Sequence, residues 1–507
     1  MTAWRPWRVF GILVMSACWL SPPAMAQAPA AASAPPAAAS APPAAASAPS
    51  PTASNASAAA QARATRTADA GPEAPAVRSS YALPALEILG FQVLVNRANY
   101  WWGSEREDYH VTLDSIRTNL RSGWHTDDDP FEVNQLGHPY QGAMYHGFAR
   151  SAGFDYWHSL GFTFAGSAVW EIAGETTRPS RNDQIASGIG GTFLGEALFR
   201  MSNLVLEQGG GLPRFWREVA ATAIDPAAGF NRLVFADRFG TPFSSRGAAY
   251  FSRLGLGYAG GVKRDVGTSG TDVKRNEAQV DYAIDYGLPG AADYRYTRPF
   301  DYFNFQGTLS SANGVENVLT RGLLVGKTYE AGESMRGVWG LYGTYDYIAP
   351  QTFRVSTTGL SVGTTAQAWI GTDVSVQGTG LLGVGYAAVG TTHSTASDRD
   401  YNYGVAPQAL LNLRVVWADK LAIGVTGREY FVSGVASGTS GGHDNILRGD
   451  ALLTYRIAKQ HAISLRVVGN RRDATFPADG SHRQTQVTVG LFYTLIGKDR
   501  FGTVDWR

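Results

Sequence analysis

The sequence holds one cysteine, Cys18, among 507 residues. It lies inside an N-terminal apolar run, "VFGILVMSACWL". Arg5 and Arg8 precede that run, Pro22 and Pro23 break it, and "AMA" at 24–26 places small residues before Gln27. A basic start, a short apolar core and small residues at the cut describe a secretory signal peptide, cleaved after Ala26. The mature chain then has no cysteine, which excludes disulfides, thiolate catalysis and cysteine metal sites. An alternative is lipoprotein processing at Cys18 in "MSAC", which would leave an unusually short apolar core.

Charge of one sign is also missing. Lys and Arg number 43 against 42 Asp and Glu, a net charge of +1. Nothing in that balance favours a polyanion, so nucleic acid is not an expected partner. No HExxH, paired cysteines, G-x-S-x-G nucleophile elbow or P-loop is present. Long uninterrupted apolar runs are absent too. The segment from Tyr156 to Gly174 comes nearest, but His158 and Glu171 leave an uncharged core of only 12 residues between them. That suits a buried helix better than a membrane span.

What is abundant comes first as a repeat. "AAASAPP" at 30–36 recurs at 37–43 and nearly again at 44–50. Ala, Ser and Pro supply no apolar seam, and proline breaks helices, so the stretch to Ser80 reads as an extended disordered tether.

Composition changes at Tyr81, where "ALEILGFQVLVNRANYWWG" brings large apolar residues. "DDDP" at 127–130 marks a helix start, with Asp129 as cap and Pro130 in the first turn. Helical segments follow at about 136–152, 155–174, 182–206 and 214–224. Phe193, Ala197, Met201 and Leu204 recur with helical spacing. Gly161, Gly166, Gly190, Gly191 and Gly195 permit close helix contact.

After about Ser245 the period becomes two. Val280, Tyr282, Ile284 and Tyr286 alternate with Asp281 and Asp285; Ile463, Leu465 and Val467 alternate with Ser464 and Arg466. Strands near the ~9–11 residues that cross a bilayer predict an outer-membrane barrel of about 12 strands. So do aromatics at strand ends ("DYFNF", "WGLYGTYDY", "VVW"). Short connections (418–420, 458–460) also alternate with long polar ones (390–404, 435–445, 470–481). A soluble sandwich gives the same alternation without these three features. The chain ends "FGTVDWR", not on the terminal aromatic that assists barrel assembly.

The polar face of the strands offers Asp281, Asp285, Arg414, Arg428, Arg456 and Arg466 as lumen-lining candidates. They form either a solute path or a charge ladder that holds a narrow lumen shut. In the helical half, His138, His146, Glu171 and Glu175 are the catalytic and metal-ligand candidates. Two imidazoles and two carboxylates suit a divalent metal, or an acid–base pair for hydrolysis of a lipid or wall component. Their spacing matches no defined site, and the alternative is a set of buried ion pairs, with Arg150, Arg178 or Arg200 as partners. Glu196 and Arg200 sit at salt-bridge spacing on one helix. Ser180 and Asp183 are candidate caps.

The segments "DDDPFEVNQLGHPYQGAMYHGFARSAGFDYW", "GSAVWEIAGETTRPSRNDQIASGIGGTFLGEALFR" and "WREVAATAIDPAAGFNRL" resemble an uncharacterised bacterial family. Its members are exported proteins carrying a domain of unknown function with an N-x-x-G-H-P-x-x-G signature. The resemblance covers roughly 119–240 and implies a Gram-negative cell-envelope protein. It implies no activity.

The expected class is α+β in a membrane. A signal peptide (1–26) and a tether (27–80) precede a helical periplasmic or plug domain (81–245) and an outer-membrane barrel (246–507). A structural or gated-transport role is expected, with a membrane-associated hydrolase or transferase as the alternative. Expected partners are outer-membrane lipid and an envelope protein or small solute. No cofactor is expected beyond a possible divalent metal.

Overall fold

The computed structural model describes residues 80–507 apart from 104, 128, 210, 267–272, 351, 392–400, 435–441, 477–479 and 498–500. The signal peptide expected at 1–26 and nearly all of the tether at 27–80 lie outside the described residues.

Twelve strands make one closed antiparallel barrel: β1 Tyr250–Val266, β2 Val273–Tyr286, β3 Phe303–Ser310, β4 Gly314–Ala331, β5 Met335–Ile348, β6 Phe353–Ile370, β7 Val374–Thr391, β8 Tyr401–Trp417, β9 Leu421–Ser433, β10 His443–Ala458, β11 His461–Phe476 and β12 Gly480–Ile496. Each strand pairs with its neighbours in sequence, and β1 closes on β12 with Leu256 opposite Tyr493. Closure leaves no sheet edge, as lipid requires of backbone groups.

Alternation sorts the two faces. On β11, Ile463, Leu465 and Val467 are exposed while Ser464 and Arg466 are buried; on β12, Val487, Val489, Leu491 and Tyr493 are exposed. The outward set is an apolar belt and the inward set is mostly polar, the arrangement of a transmembrane barrel. The long polar connection expected at 470–481 is corrected. Residues 470–476 continue β11 and 480–481 begin β12. Arg471 and Arg483 are exposed at these strand ends and both pair with the half-buried Asp473. Their polarity marks where the strands leave the belt, not where they stop.

Before the barrel come α1 Ala82–Trp102, α2 Leu113–Arg121, α3 His138–Ser151, α4 Tyr156–Ala173, α5 Arg181–Ile185, α6 Gly191–Gln208, α7 Arg214–Ile224, α8 Pro226–Val234 and α9 Ala236–Phe239. π-turns at Val133–Gly137 and Ala186–Gly190 lead into α3 and α6. The α3 and α6 backbones meet through glycine. A Cβ on Gly142 would lie 1.9 Å from the Ser187 carbonyl oxygen, and one on Gly191 2.7 Å from the Gly142 Cα. Asp155 caps α4 and Ser180 caps α5, each accepting from the backbone three residues on. Asp183 is therefore the capped residue, not the cap.

The helices do not enter the lumen; of the two expected placements, plug or periplasmic, the plug is corrected. Tyr345 and Tyr347 alternate with inward Asp346, so they face outward, and both are buried. The Tyr345 hydroxyl donates to the Gln135 carbonyl (2.6 Å), and Phe131 packs on Tyr347 and Tyr401. Leu194, Ala197, Leu198 and Met201 of α6 share one core with Ile284, Tyr286, Phe303 and Phe305 from the outer faces of β2 and β3. The helices form a layer on the outside of the wall from β2 to β8. A lumen already filled by its own side chains has no room for them. The aromatics of "DYFNF" and "WGLYGTYDY", read as a membrane girdle, supply much of this interface.

Candidate functional site

The lumen is built by one residue in two along each strand. Asp281 on β2 binds Arg253 of β1 and the Arg466 guanidinium of β11 (2.8 Å), and it accepts from Gln306 (3.0 Å) and Thr308 (2.8 Å). Arg466 also pairs with Asp450. Asp346 of β5 holds Arg321 through both oxygens (2.8 and 3.0 Å) and accepts from the Tyr430 hydroxyl of β9 (2.6 Å). Arg414 of β8 reaches Asp285 of β2 at 3.1 Å. Five strands lie between β8 and β2 either way round the barrel, so this pair crosses the full lumen.

Other parts of the lumen are filled differently. Ile348, Phe353, Val355, Val389 and Ile446 form an inward apolar cluster near one end. At the other, the C-terminal segment tucks inside. Phe501 packs with Phe251, Val416, Ala422 and Ile496. The Val504 carbonyl accepts from Gln367 (2.6 Å) and from the Trp369 indole (3.0 Å), and Gln377 donates to the Gly502 carbonyl (2.9 Å). Arg456 stacks over the Phe501 ring. Arg428 lines a cavity of about 10 Å³ with Arg321, Asp346 and Tyr430, room for roughly one water. All six lumen-lining candidates thus project inward. Their partners Arg253, Asp346 and Asp450 were not singled out in the sequence, although each continues the alternation.

The helical layer divides its four candidates. His146 bonds Glu196 at 3.0 Å, and Arg150 and Arg200 bond the same carboxylate at 2.7 and 2.8 Å. Both His146 and Glu196 are fully buried. Burial works against the Glu196 charge, but Arg150, the His146 hydrogen bond and Arg200 overcome it and hold the carboxyl well below the usual range. Arg200 continues to Asp301 (3.1 Å) in the β2–β3 connection, where Arg246 and Arg298 also pair with that carboxylate.

His138 lies elsewhere, 3.3 Å from the Ser187 hydroxyl and 4.0 Å from Asp183. Burial lowers its pKa to about 4, with Asp127 opposing. Glu171 accepts from the Ser180 backbone N–H (2.8 Å), and its other oxygen has no partner among the described residues. Burial first, then Asp129 and Asp127, pushes Glu175 up to about 8. The expected pairing of Glu171 or Glu175 with Arg150 or Arg200 is corrected: Glu196 takes both arginines. Among the described residues no three or more His, Cys, Asp or Glu side chains are arranged to hold a metal ion. His146 is committed to Glu196, away from the acidic group of Asp127, Glu171, Glu175 and Asp183.

A closed 12-stranded barrel with an apolar outer belt fits a bacterial outer membrane. Residues 123–227, within the helical layer, match the family model described as Domain of unknown function (DUF3943). No curated protein sequence matches the chain. Among solved structures it is similar to the outer membrane channel DcaP of Acinetobacter baumannii (9% identity, TM-score 0.23, 50% of this chain and 99% of that one). It is also similar to the NanC porin (8%, 0.22, 47% and 98%) and the Pseudomonas putida toluene transporter TodX (9%, 0.21, 49% and 89%).

Proposed function

We propose that this protein is an outer-membrane barrel with a structural role, shut across its lumen, whose wall carries the helical layer. The observation that supports this reading is the Arg414–Asp285 pair spanning the lumen at 3.1 Å. A water-filled pore does not accommodate such a contact. The short turns at 418–420 and 459–460 lie at the same end as the start of β1 and the end of β12. We assign that end to the periplasm, and with it the segment joining the helices to β1. Outer-membrane lipid surrounds the apolar belt.

One observation favours a second reading, gated transport of a small solute. The filling formed by residues 501–507 belongs to no strand, so it can leave without breaking the barrel. Conductance in planar bilayers separates the two. The structural reading expects no steady current from the full chain or from a chain ending at Gly497. Current only after truncation supports the gate and removes the structural reading. Current from the full chain defeats both.

A further inference from the structure

Two helices of this layer, α1 and α4, are inside out. On α1, Gln92, Asn96 and Asn99 are buried. The Gln92 amide donates to the Tyr145 hydroxyl (3.1 Å) and the Gly166 carbonyl (2.6 Å), and Asn96 donates to the Gly174 carbonyl (2.7 Å). The opposite face shows Leu86 at 65%, Leu89 at 46% and Val93 at 63% exposure. α4 repeats the pattern. Ser159, Thr163, Ser167 and Glu171, four apart, point inward, while Trp157, Phe164 and Val169 are exposed. Phe230 and Leu233 of α8 are exposed as well. A helix in water hides its apolar face and shows its polar one. The reverse order, with small and polar residues at the helix contacts, is that of helices packed in lipid.

The position on the wall agrees. Thr358 of β6 meets the backbone of Gly190, while Leu360 and Val362, the next outward residues, are exposed. On β7, Leu382 and Val384 are exposed and Tyr386, the next outward residue, packs against the shared core. The helical layer therefore begins where the bare apolar belt ends, on the same strands. No described helix is long and apolar enough to cross a membrane. For α1 and α4 that follows from their polar stripes, which lower average hydropathy but face protein.

We propose that the outer surface of the helical layer is a lipid-binding surface, its occupant the acyl chains of the membrane that contact the barrel belt. The proposal rests on the reading of the barrel as membrane-embedded.

The test uses the full chain with Cys18→Ser, reconstituted in phosphatidylcholine vesicles, with single cysteines introduced as Leu89→Cys and Phe230→Cys. Leu465→Cys on the belt and Arg483→Cys at the polar end of β12 are the references. Each is read by quenching of an attached fluorophore by brominated acyl chains and by its rate with a membrane-impermeant maleimide. L89C and F230C are expected to be quenched like L465C and to react at least about tenfold more slowly than R483C. Rapid reaction without quenching, while L465C is quenched, overturns the proposal. Slow reaction without quenching means that a second copy or another protein covers the face, which also overturns it. Loss of quenching at L465C fails the barrel reading itself.

Discussion

Arg200 on α6 joins Glu196 on its own helix at 2.8 Å to Asp301 in the β2–β3 connection at 3.1 Å. All three side chains are buried. One guanidinium therefore ties the helical layer to the barrel, and two opposed carboxylates hold it in place.

Arg200→Met removes that tie and leaves two buried carboxylates each short of a partner. Breaking one member of a buried ion network costs on the order of 3–5 kcal/mol. The helical layer of R200M is expected to become protease-sensitive at a lower temperature than the wild type while the barrel stays folded. Equal protection of R200M and wild type counts against the tie.

In the lumen, Asp281→Asn withdraws the charge that faces Arg253 and Arg466. Arg466 keeps Asp450, but Arg253 loses its ion pair, so a cost of about 2–4 kcal/mol is expected. It should appear as a lower temperature for the heat-induced shift in gel mobility that reports barrel unfolding. An unchanged transition argues that the network adds nothing to stability.

Gly142→Val tests the contact between α3 and the 186–195 segment. Its Cβ would fall 1.9 Å from the Ser187 carbonyl oxygen, so backbone must move. Overpacking of this kind costs about 1–3 kcal/mol or more. Loss of helical signal in circular dichroism on heating, before the barrel melts, is the expected result. Gly161→Val, where nothing stands within 4 Å, is the control expected to stay near wild type.

Glu175 gives a pH dependence of definite sign. Burial, then Asp129 and Asp127, raises its pKa from 4.5 to about 8. The folded state then binds more protons than the unfolded one between those values, so this group's contribution to stability falls as pH rises from 4.5 to 8. Glu175→Gln removes the titration. The variant is expected to be more stable than wild type at pH 8, by roughly 1–3 kcal/mol, with a smaller or absent gain at pH 4.5. A wild-type stability that rises over this window, with no flattening in E175Q, contradicts the assignment.

Much of the architecture was legible along the chain because it depends on local periodicity. Alternation across Val280–Tyr286 and Ile463–Val467 identifies strands and assigns their faces. The spacing of Phe193, Ala197, Met201 and Leu204 identifies α6, and Ser180 marks where α5 starts. The Glu196–Arg200 pair follows from helix geometry alone. α1 was harder to read: its buried positions are Gln92, Asn96 and Asn99, which reverses the signal that periodicity usually supplies.

Tertiary structure decided the rest. Whether His146 meets Glu171 or Glu196 depends on how α3, α4 and α6 cross, and the glycine contacts at Gly142 and Gly191 fix that crossing. The inward face of a strand is set by alternation, but the partner of Arg414 lies 129 residues away on the far wall, and only barrel closure brings Asp285 to it. The same holds for Tyr345 and Tyr347. Their sequence says outward-facing aromatic, and only the folded molecule shows that they meet helices. Period-two and period-four patterns are written in neighbouring residues; the choice between lipid and protein as the neighbour of an apolar face is made by distant parts of the chain.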